Sequence, residues 1–280
     1  MSGKLQIAPS PLRFRGSRSQ VLRELLPLLP RRIRTFADLM CGGGDVFANS
    51  RAEHYILNDI NPELCRLYEW LARRPWKGLA GELEDLCRHY SLADPEMRLA
   101  GRRRLMEAHR RSGSPLLLLL LSFASESGFR FGEGWAFNAP AGRLRNPLGS
   151  VALGRLGIFM MRLRIRDPEI RCGDFEEGGW LSTLGEGDFA YADPPFLADG
   201  RGTGWTDGDG ERLRAVLMDL SSRGVRFALS EKAVGRSGRN PAVVEWARAN
   251  RLHFHALGAD HGPCGPACSS AGAELLITNY

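Results

Sequence analysis

The sequence predicts an α/β protein built on a doubly wound, mainly parallel sheet with a mostly helical segment inserted into it. Three observations point that way. A strand pattern, a glycine turn and a second strand ending in an acid follow one another between residues 34 and 59, the order of a nucleotide-type half-sheet. After residue 165, short apolar runs alternate with helical patterns, as in a parallel sheet with crossover helices. Between 75 and 165 the strand signal fades, and apolar residues recur at helical spacing.

Taken in order, Val21, Leu22, Leu25, Leu26 and Leu29 have helical spacing and predict a helix over 19–29. Strands are expected at 34–40 and 54–58, with Cys41-Gly42-Gly43-Gly44 as the turn after the first and Asn58-Asp59-Ile60-Asn61 closing the second. Glycines let the backbone approach a ligand closely. A helix follows from Pro62 to Arg73. Helical patterns then appear near 79–90, 95–111 and 115–124, while 128–149, rich in Gly, Arg and aromatics, reads as a loop or hairpin. The αβ pattern resumes with strands at 169–173 and 188–192, a helix at 210–223, a strand at 225–230, a helix at 241–250 and strands at 252–257 and 273–279. The glycine-rich, acidic stretch from Leu197 to Gly210 reads as a mobile loop.

Asp193-Pro194-Pro195-Phe196 carries the most chemistry. It follows Phe189-Ala190-Tyr191-Ala192, a continuous apolar run typical of a strand buried on both faces. Prolines hold the preceding residues extended and cannot donate N–H bonds. The turn therefore presents a carboxylate and carbonyls, all acceptors, beside a flat ring, an arrangement suited to a planar ligand with an exocyclic amine. The bland alternative is a strand ending in a proline turn. The glycine turn is not G-x-G-x-x-G, so a pyrophosphate on a helix N-terminus is not predicted. A ligand with a ribose and no phosphate fits better, and S-adenosylmethionine is one.

The 280 residues carry a net charge of +6, with 43% apolar and 25% charged residues, ordinary for a globular protein. The distribution of charge says more than its total. From Arg98 to Arg166 there are 13 Arg, no Lys and three acids, a net of +10; from Asp167 to Glu231 the net is −8. A basic middle beside an acidic part suits a polyanion partner, the alternative being a solvated charged face. Leu116 to Leu121 is a run of six leucines, too short for the ~20 residues of a membrane span. The start, Met1-Ser2-Gly3-Lys4, lacks a signal-peptide pattern, so a cytoplasmic location with six reduced cysteines is expected. His261, Cys264 and Cys268 lack a nearby fourth ligand, and no metal is expected.

These segments together resemble the Dam-type (D12 class) adenine-specific DNA methyltransferases, through most of the chain. Phe14-Arg15-Gly16-Ser17-Arg18 stands where that class has an aromatic-glycine-lysine motif, with Phe14 for Trp and Arg18 for Lys. Cys41-Gly42-Gly43-Gly44-Asp45-Val46-Phe47 and Tyr55-Ile56-Leu57-Asn58-Asp59-Ile60-Asn61 look like its cofactor segments. Phe137-Asn138-Ala139-Pro140-Ala141-Gly142-Arg143 looks like its DNA-reading segment, Asp193-Pro194-Pro195-Phe196 like its catalytic motif, and Glu274 to Tyr280 like its closing strand.

The resemblance implies the sheet of S-adenosylmethionine-dependent methyltransferases, with residues 1–74 and 166–280 as the catalytic domain and 75–165 as an inserted target-recognition domain. It implies S-adenosyl-L-methionine as cofactor and double-stranded DNA as partner, with no membrane. The catalytic residues would be Asp193, Pro194, Pro195 and Phe196. The cofactor would be held by Phe14, Gly16, Arg18, Asp38, Met40, Cys41, Gly42, Gly43, Gly44, Asp59, Ile60, Asp174, Phe175 and Asp193. Within that set, Asp59 would take the ribose hydroxyls, Arg18 the methionine carboxylate, and Asp174 and Phe175 the adenine. Alternatives are a helix-capping role for Asp59 and Asp174 and a surface position for Arg18. Arg130, Asn138, Arg143 and Arg145 are the DNA candidates; Arg pairs with guanine edges, Asn with adenine, and either also contacts phosphate. The implied reaction is methylation of N6 of a flipped adenine. A relative acting on RNA or on protein glutamine, a non-catalytic DNA-binding relative and a nucleotide-dependent oxidoreductase are the competing readings; the Arg-rich insert, the intact Asp59 and Asp193, and the missing G-x-G-x-x-G weigh against them in turn.

Overall fold

The computed structural model describes residues 7–14, 17–126, 128–141, 147–195, 205–232, 234–235, 238–239, 241–258 and 274–280. The chain divides into two compact units. One comprises Met1–Ser19, Gly42–Asn49 and Asn61–Cys172, the other Gln20–Cys41, Ser50–Ile60 and Gly173–Tyr280.

The second unit is built on strands β1 (Thr35–Asp38), β2 (His54–Asp59), β4 (Phe189–Ala192), β5 (Arg226–Lys232), β8 (His253–Leu257) and β9 (Glu274–Thr278), in the spatial order β2-β1-β4-β5-β9-β8. The first four run parallel; β9 lies antiparallel to both β5 and β8. Every residue of β4 is buried, as its apolar run requires of a central parallel strand. Phe36, Phe189 and Phe227, on three neighbouring strands, are fully buried, and each such ring contributes roughly 1.5–3 kcal/mol. Helices α8 (Asp207–Ser222) and α9 (Pro241–Ala249) supply Leu213, Leu217, Leu220, Val243 and Ala247 to the core that contains Phe227, Ala37 and Ala190. A short hairpin, β6 (Val234–Gly235) with β7 (Gly238–Arg239), follows β5.

The first unit contains α2 (Asp45–Asn49), α3 (Pro62–Arg73), α4 (Leu79–His89), α5 (Arg98–Ser112), α6 (Pro115–Phe123), α7 (Ser150–Arg166) and β3 (Glu169–Cys172). Asn61 caps α3, its side chain accepting from the Glu63 and Leu64 amides, and Pro62 occupies the first turn. α6 contains the leucine run and is the centre of this unit, packing against α3, α4 and α5. Among the described residues no helix is long and apolar enough to cross a membrane.

Several sequence expectations change. The helix over 19–29 is instead a 3-10 turn at Arg18–Gln20, a single α-turn, α1 (Leu22–Leu25), and another 3-10 turn at Leu26–Leu28, because Pro27 has no N–H to continue the ladder. α7 falls in the segment expected to be mostly helical, but no helix was placed over its residues. Its Val151, Ile158, Met161 and Ile165 are exposed, so its pattern gives no single apolar stripe facing a core. α8 starts at Asp207 rather than 210, because Thr206 and Asp209 form a reciprocal capping box; residues 207–210 are thus helical, while 196–204 lie outside the described residues. The glycine turn and α3 fall in the helical unit, where α3 packs on α6 and α7. His261, Cys264 and Cys268 lie outside the described residues.

Candidate active site

In the sheet unit, β1 has β2 on one side and β4 on the other. The chain order reverses at the β1–β4 pair, and open α/β sheets bind ligands at the carboxyl ends of the strands beside such a reversal. Three aspartates occupy those ends. Asp38 is the last residue of β1, Asp59 the last of β2, and Asp193 follows β4 directly. The Leu39 amide donates to the Tyr191 carbonyl at 2.9 Å, carrying the β1–β4 ladder to the residue after Asp38. Asp38 is 2% exposed. Its carboxyl is held well above the usual carboxylate range, first by burial, then by the negative charge of Asp193, with a smaller push from Asp59; the Met40 amide works the other way by donating to it. Each of the other two carboxylates is thus near enough to be felt at Asp38. Its Oδ1 is buried without a hydrogen-bond partner among the described residues. An orphaned buried acceptor costs roughly 1–3 kcal/mol, a cost that a ligand donor or cation removes.

Asn58 organises this end of the sheet, although sequence reasoning gave it no role. It is buried, and its Nδ2 donates to the carbonyls of Leu39 (3.0 Å) and Gly173 (3.1 Å). Its own carbonyl accepts from the Cys41 amide at 2.8 Å, and the Asp59 carbonyl accepts from the Gly173 amide at 3.1 Å. The turn after β1, the end of β2 and the turn carrying Asp174 are therefore laced together. The helix cap that Asp59 was an alternative for is supplied by Asn61. Met40 is half-buried and Cys41 buried, whereas the Ile60 side chain is exposed.

Asp174 and Phe175 follow Gly173. Phe175 is buried, its ring 6.2 Å from Trp205 and covered by the Arg212 guanidinium at 5.0 Å. Arg212 also pairs with Asp174 (2.6 Å), Glu176 (2.6 Å) and Asp209 (3.0 Å). The Asp174 carboxylate, which additionally accepts from the Glu176 amide, is already engaged within the protein. Pro194 and Pro195 line a pocket with Trp205, Arg214, Leu229 and Glu231. Trp205 and Glu231 were not singled out from sequence. The available signal was position: Glu231 lies on β5 much as Asp193 lies at the end of β4, an acid near the carboxyl end of a central parallel strand. Phe196 lies outside the described residues.

In the helical unit, the glycine turn is shaped by the protein itself. Gly42 and Gly44 have positive φ. A Cβ at Gly43 would approach the Leu12 carbonyl oxygen to 2.3 Å, and one at Gly44 would approach the Tyr68 hydroxyl to 2.4 Å, while nothing lies near Gly42. The Tyr68 hydroxyl donates to the Gly42 carbonyl at 3.0 Å. At Gly43 and Gly44 the close neighbours are thus protein atoms, not the ligand for which the turn was read. Buried Asp45 accepts from the Ser10 amide at 2.8 Å and from the Ser17 hydroxyl, fixing the segment that bears Phe14 and Arg18. Arg18 is 3% exposed, not a surface arginine. Phe14 stacks on Phe129 at 5.2 Å. Gly16 lies outside the described residues, as do Arg143 and Arg145. Arg130 and Asn138 are both exposed and are brought together, the Asn138 amide donating to the Arg130 carbonyl at 2.9 Å.

A sequence model of the D12 class of N6 adenine-specific DNA methyltransferases matches residues 14–256. The chain belongs to that class. Among curated members similar to this D12 chain are Modification methylase StsI of Streptococcus sanguinis, 30% identical over 97% of the chain, and Type II methyltransferase M.FokI of Planomicrobium okeanokoites, 28% identical over 97%. The D12 chain spans 43% of the length of each. Type II methyltransferase M1.LlaDCHI of Lactococcus lactis subsp. cremoris is 24% identical and is matched over 94% of its own length. The match to the class reaches from Phe14 to beyond Asp193 and takes in every site candidate named from the sequence.

Proposed function

We propose that the protein transfers a methyl group from S-adenosylmethionine to N6 of an adenine flipped out of duplex DNA. The observation that carries this reading is the gathering of Asp38, Asp59 and Asp193 at the carboxyl ends of β1, β2 and β4, at the β1–β4 reversal, in a chain of the D12 class. A cluster of carboxylates, one with an orphaned buried oxygen, is complementary to a ligand that brings a cationic centre, an ammonium and ribose hydroxyls, and offers nothing to a pyrophosphate. When bound, S-adenosylmethionine supplies an electrophilic methyl. Asp59 accepts from ribose hydroxyls, and the buried Oδ1 of Asp38 accepts from a charged or hydroxyl donor of the same ligand. Arg18 is assigned to the methionine carboxylate, and Phe14, Gly16, Met40, Cys41 and the glycine turn are assigned to the cofactor.

Adenine N6 is a poor nucleophile because its lone pair is delocalised into the ring. Asp193 accepts one N6 hydrogen and the Pro194 carbonyl the other, which favours a tetrahedral nitrogen and stabilises the charge that develops on it. The flipped base is assigned to the turn of Pro194 and Pro195, with Phe196 assigned to stack on it. Arg212 holds Asp174 and covers Phe175, so the adenine of the cofactor is placed by that turn as a whole. On the DNA side, Arg130, Asn138, Arg143 and Arg145 are assigned to the duplex.

The deciding experiment is incubation of the purified protein with labelled S-adenosylmethionine and unmethylated DNA, then nucleoside analysis. The expected product is N6-methyladenine alone; label in cytosine or in protein, or none in adenine, overturns the reading. A separate expectation concerns the cofactor: Asp59→Ala should weaken its binding by about 1.5–3 kcal/mol, the worth of a charge-assisted hydrogen bond. Unchanged affinity by calorimetry removes Asp59 from the ribose.

A further inference from the structure

Arg102, on α5, is a charged residue that the proposed chemistry does not use. It is 7% exposed. Its Nη2 donates to the Ser125 hydroxyl at 3.1 Å and to the Ala139 carbonyl, and its guanidinium lies 6.0 Å from the centre of the Phe137 ring. Its Nε has no hydrogen-bond partner among the described residues, and burial lowers its pKa. A buried cation with no carboxylate partner among the described residues is poor evidence for a stability role, since apolar residues of similar volume commonly serve a core at least as well. The question is what its fixed fork of donors holds in place.

It holds both neighbours of Asn138. Residues 136 to 140 alternate exposed and buried, with Phe137 and Ala139 buried and Asn138 exposed between them. That is the period of an extended segment presenting every second side chain outward. The segment is paired with the preceding arm at Ser125–Ala141 and at Phe131–Phe137, and the Asn138 amide bonds the Arg130 carbonyl. A slip of one residue would turn Asn138 inward and Phe137 outward. Arg102 opposes that slip at three points: Ser125 in the first arm, and Phe137 and Ala139 in the second.

We propose that Arg102 is a positioning residue for target recognition, fixing the register that presents Asn138, with Arg130 beside it, to the DNA. This rests on the assignment of Asn138 to the duplex. The test uses the recognition site mapped for the parent protein and a set of single-base variants of that site. Arg102→Met keeps the length and apolar bulk while removing the donors. It should keep its melting temperature and cofactor affinity close to the parent, keep kcat at saturating DNA, raise KM for the cognate site, and reduce discrimination against the variant sites by about 10- to 100-fold, the worth of one bidentate base contact. Asn138→Ala should show the same loss, and the double variant should lose no more than either alone, as expected for residues acting as one unit. Arg102→Lys, which retains charge and a donor but not the fork, should fall between, and it is the variant to read if Arg102→Met does not fold. Parental discrimination in Arg102→Met or Arg102→Lys, with Asn138→Ala impaired, overturns the role of Arg102 alone. Parental discrimination in Asn138→Ala overturns the assignment beneath it.

Discussion

Asp193→Ala is expected to lower methyl transfer to adenine by about 10²–10³, the usual worth of one preorganised contact to charge that develops in the transition state. The side chain follows a fully buried strand and is itself half-buried, so it fills no core position and its loss should leave the fold intact. Melting temperature and far-ultraviolet dichroism of the variant check that point. Asp59 and the glycine turn are untouched, so cofactor binding should largely survive, and the loss should fall on kcat rather than on KM for the cofactor. The measurement is methyl transfer by purified, folded protein at saturating DNA. A variant that methylates at the parental rate overturns the assigned role of Asp193, whatever the family.

Much of this site was legible because the chemistry lies at strand ends. An apolar run that stops at an acid, as in Phe189 to Asp193 or Tyr55 to Asp59, marks both a buried strand and the edge where its side chains become available. The residues that join those ends were not legible. Asn58 bonds two carbonyls, one of them 115 residues away in sequence, and nothing in its neighbours announces that. Arg212 is one more arginine on a helix until the fold places Asp174, Glu176, Asp209 and the Phe175 ring around it. Glycine was half-read: the turn was recognised, but at Gly43 and Gly44 the crowding comes from Leu12 and Tyr68. α7 was missed because exposed Val151, Ile158 and Ile165 blur its apolar face, and periodicity detects helices only where burial is one-sided. Arg102 shows the same limit from the other direction. Composition counted it toward a basic surface, whereas the fold buries it under the loop it orients.

Asp38→Asn is expected to separate stability from ligand binding. Because the folded protein holds the Asp38 carboxyl well above its ordinary value, the folded state keeps a proton that the unfolded state releases. Stability therefore falls as pH rises from the ordinary carboxylate range, near 3.8, up through the raised value of the folded state, and this loss is fully present above it. Asparagine keeps the shape and carries no charge, so the ligand-free variant should be more stable than the parent at neutral pH and nearly equal to it in acid. Cofactor binding should respond in the opposite sense. A cationic ligand favours the ionised carboxylate, so its binding to the parent should release a proton, and affinity should rise with pH across the same window. In Asp38→Asn that pH dependence should flatten and neutral-pH affinity should drop, by about 1.5–3 kcal/mol for a lost charge-assisted bond. Since Asp193 is the larger of the two neighbouring charges acting on Asp38, Asp193→Ala should shift the window toward lower pH without abolishing it. Calorimetry in buffers of different ionisation enthalpy measures the released proton directly, and thermal denaturation across the pH range measures the stability. A parent protein that binds S-adenosylmethionine with no proton release, or an asparagine variant no more stable than the parent at neutral pH, would show that the Asp38 carboxyl is not the titrating group of this site.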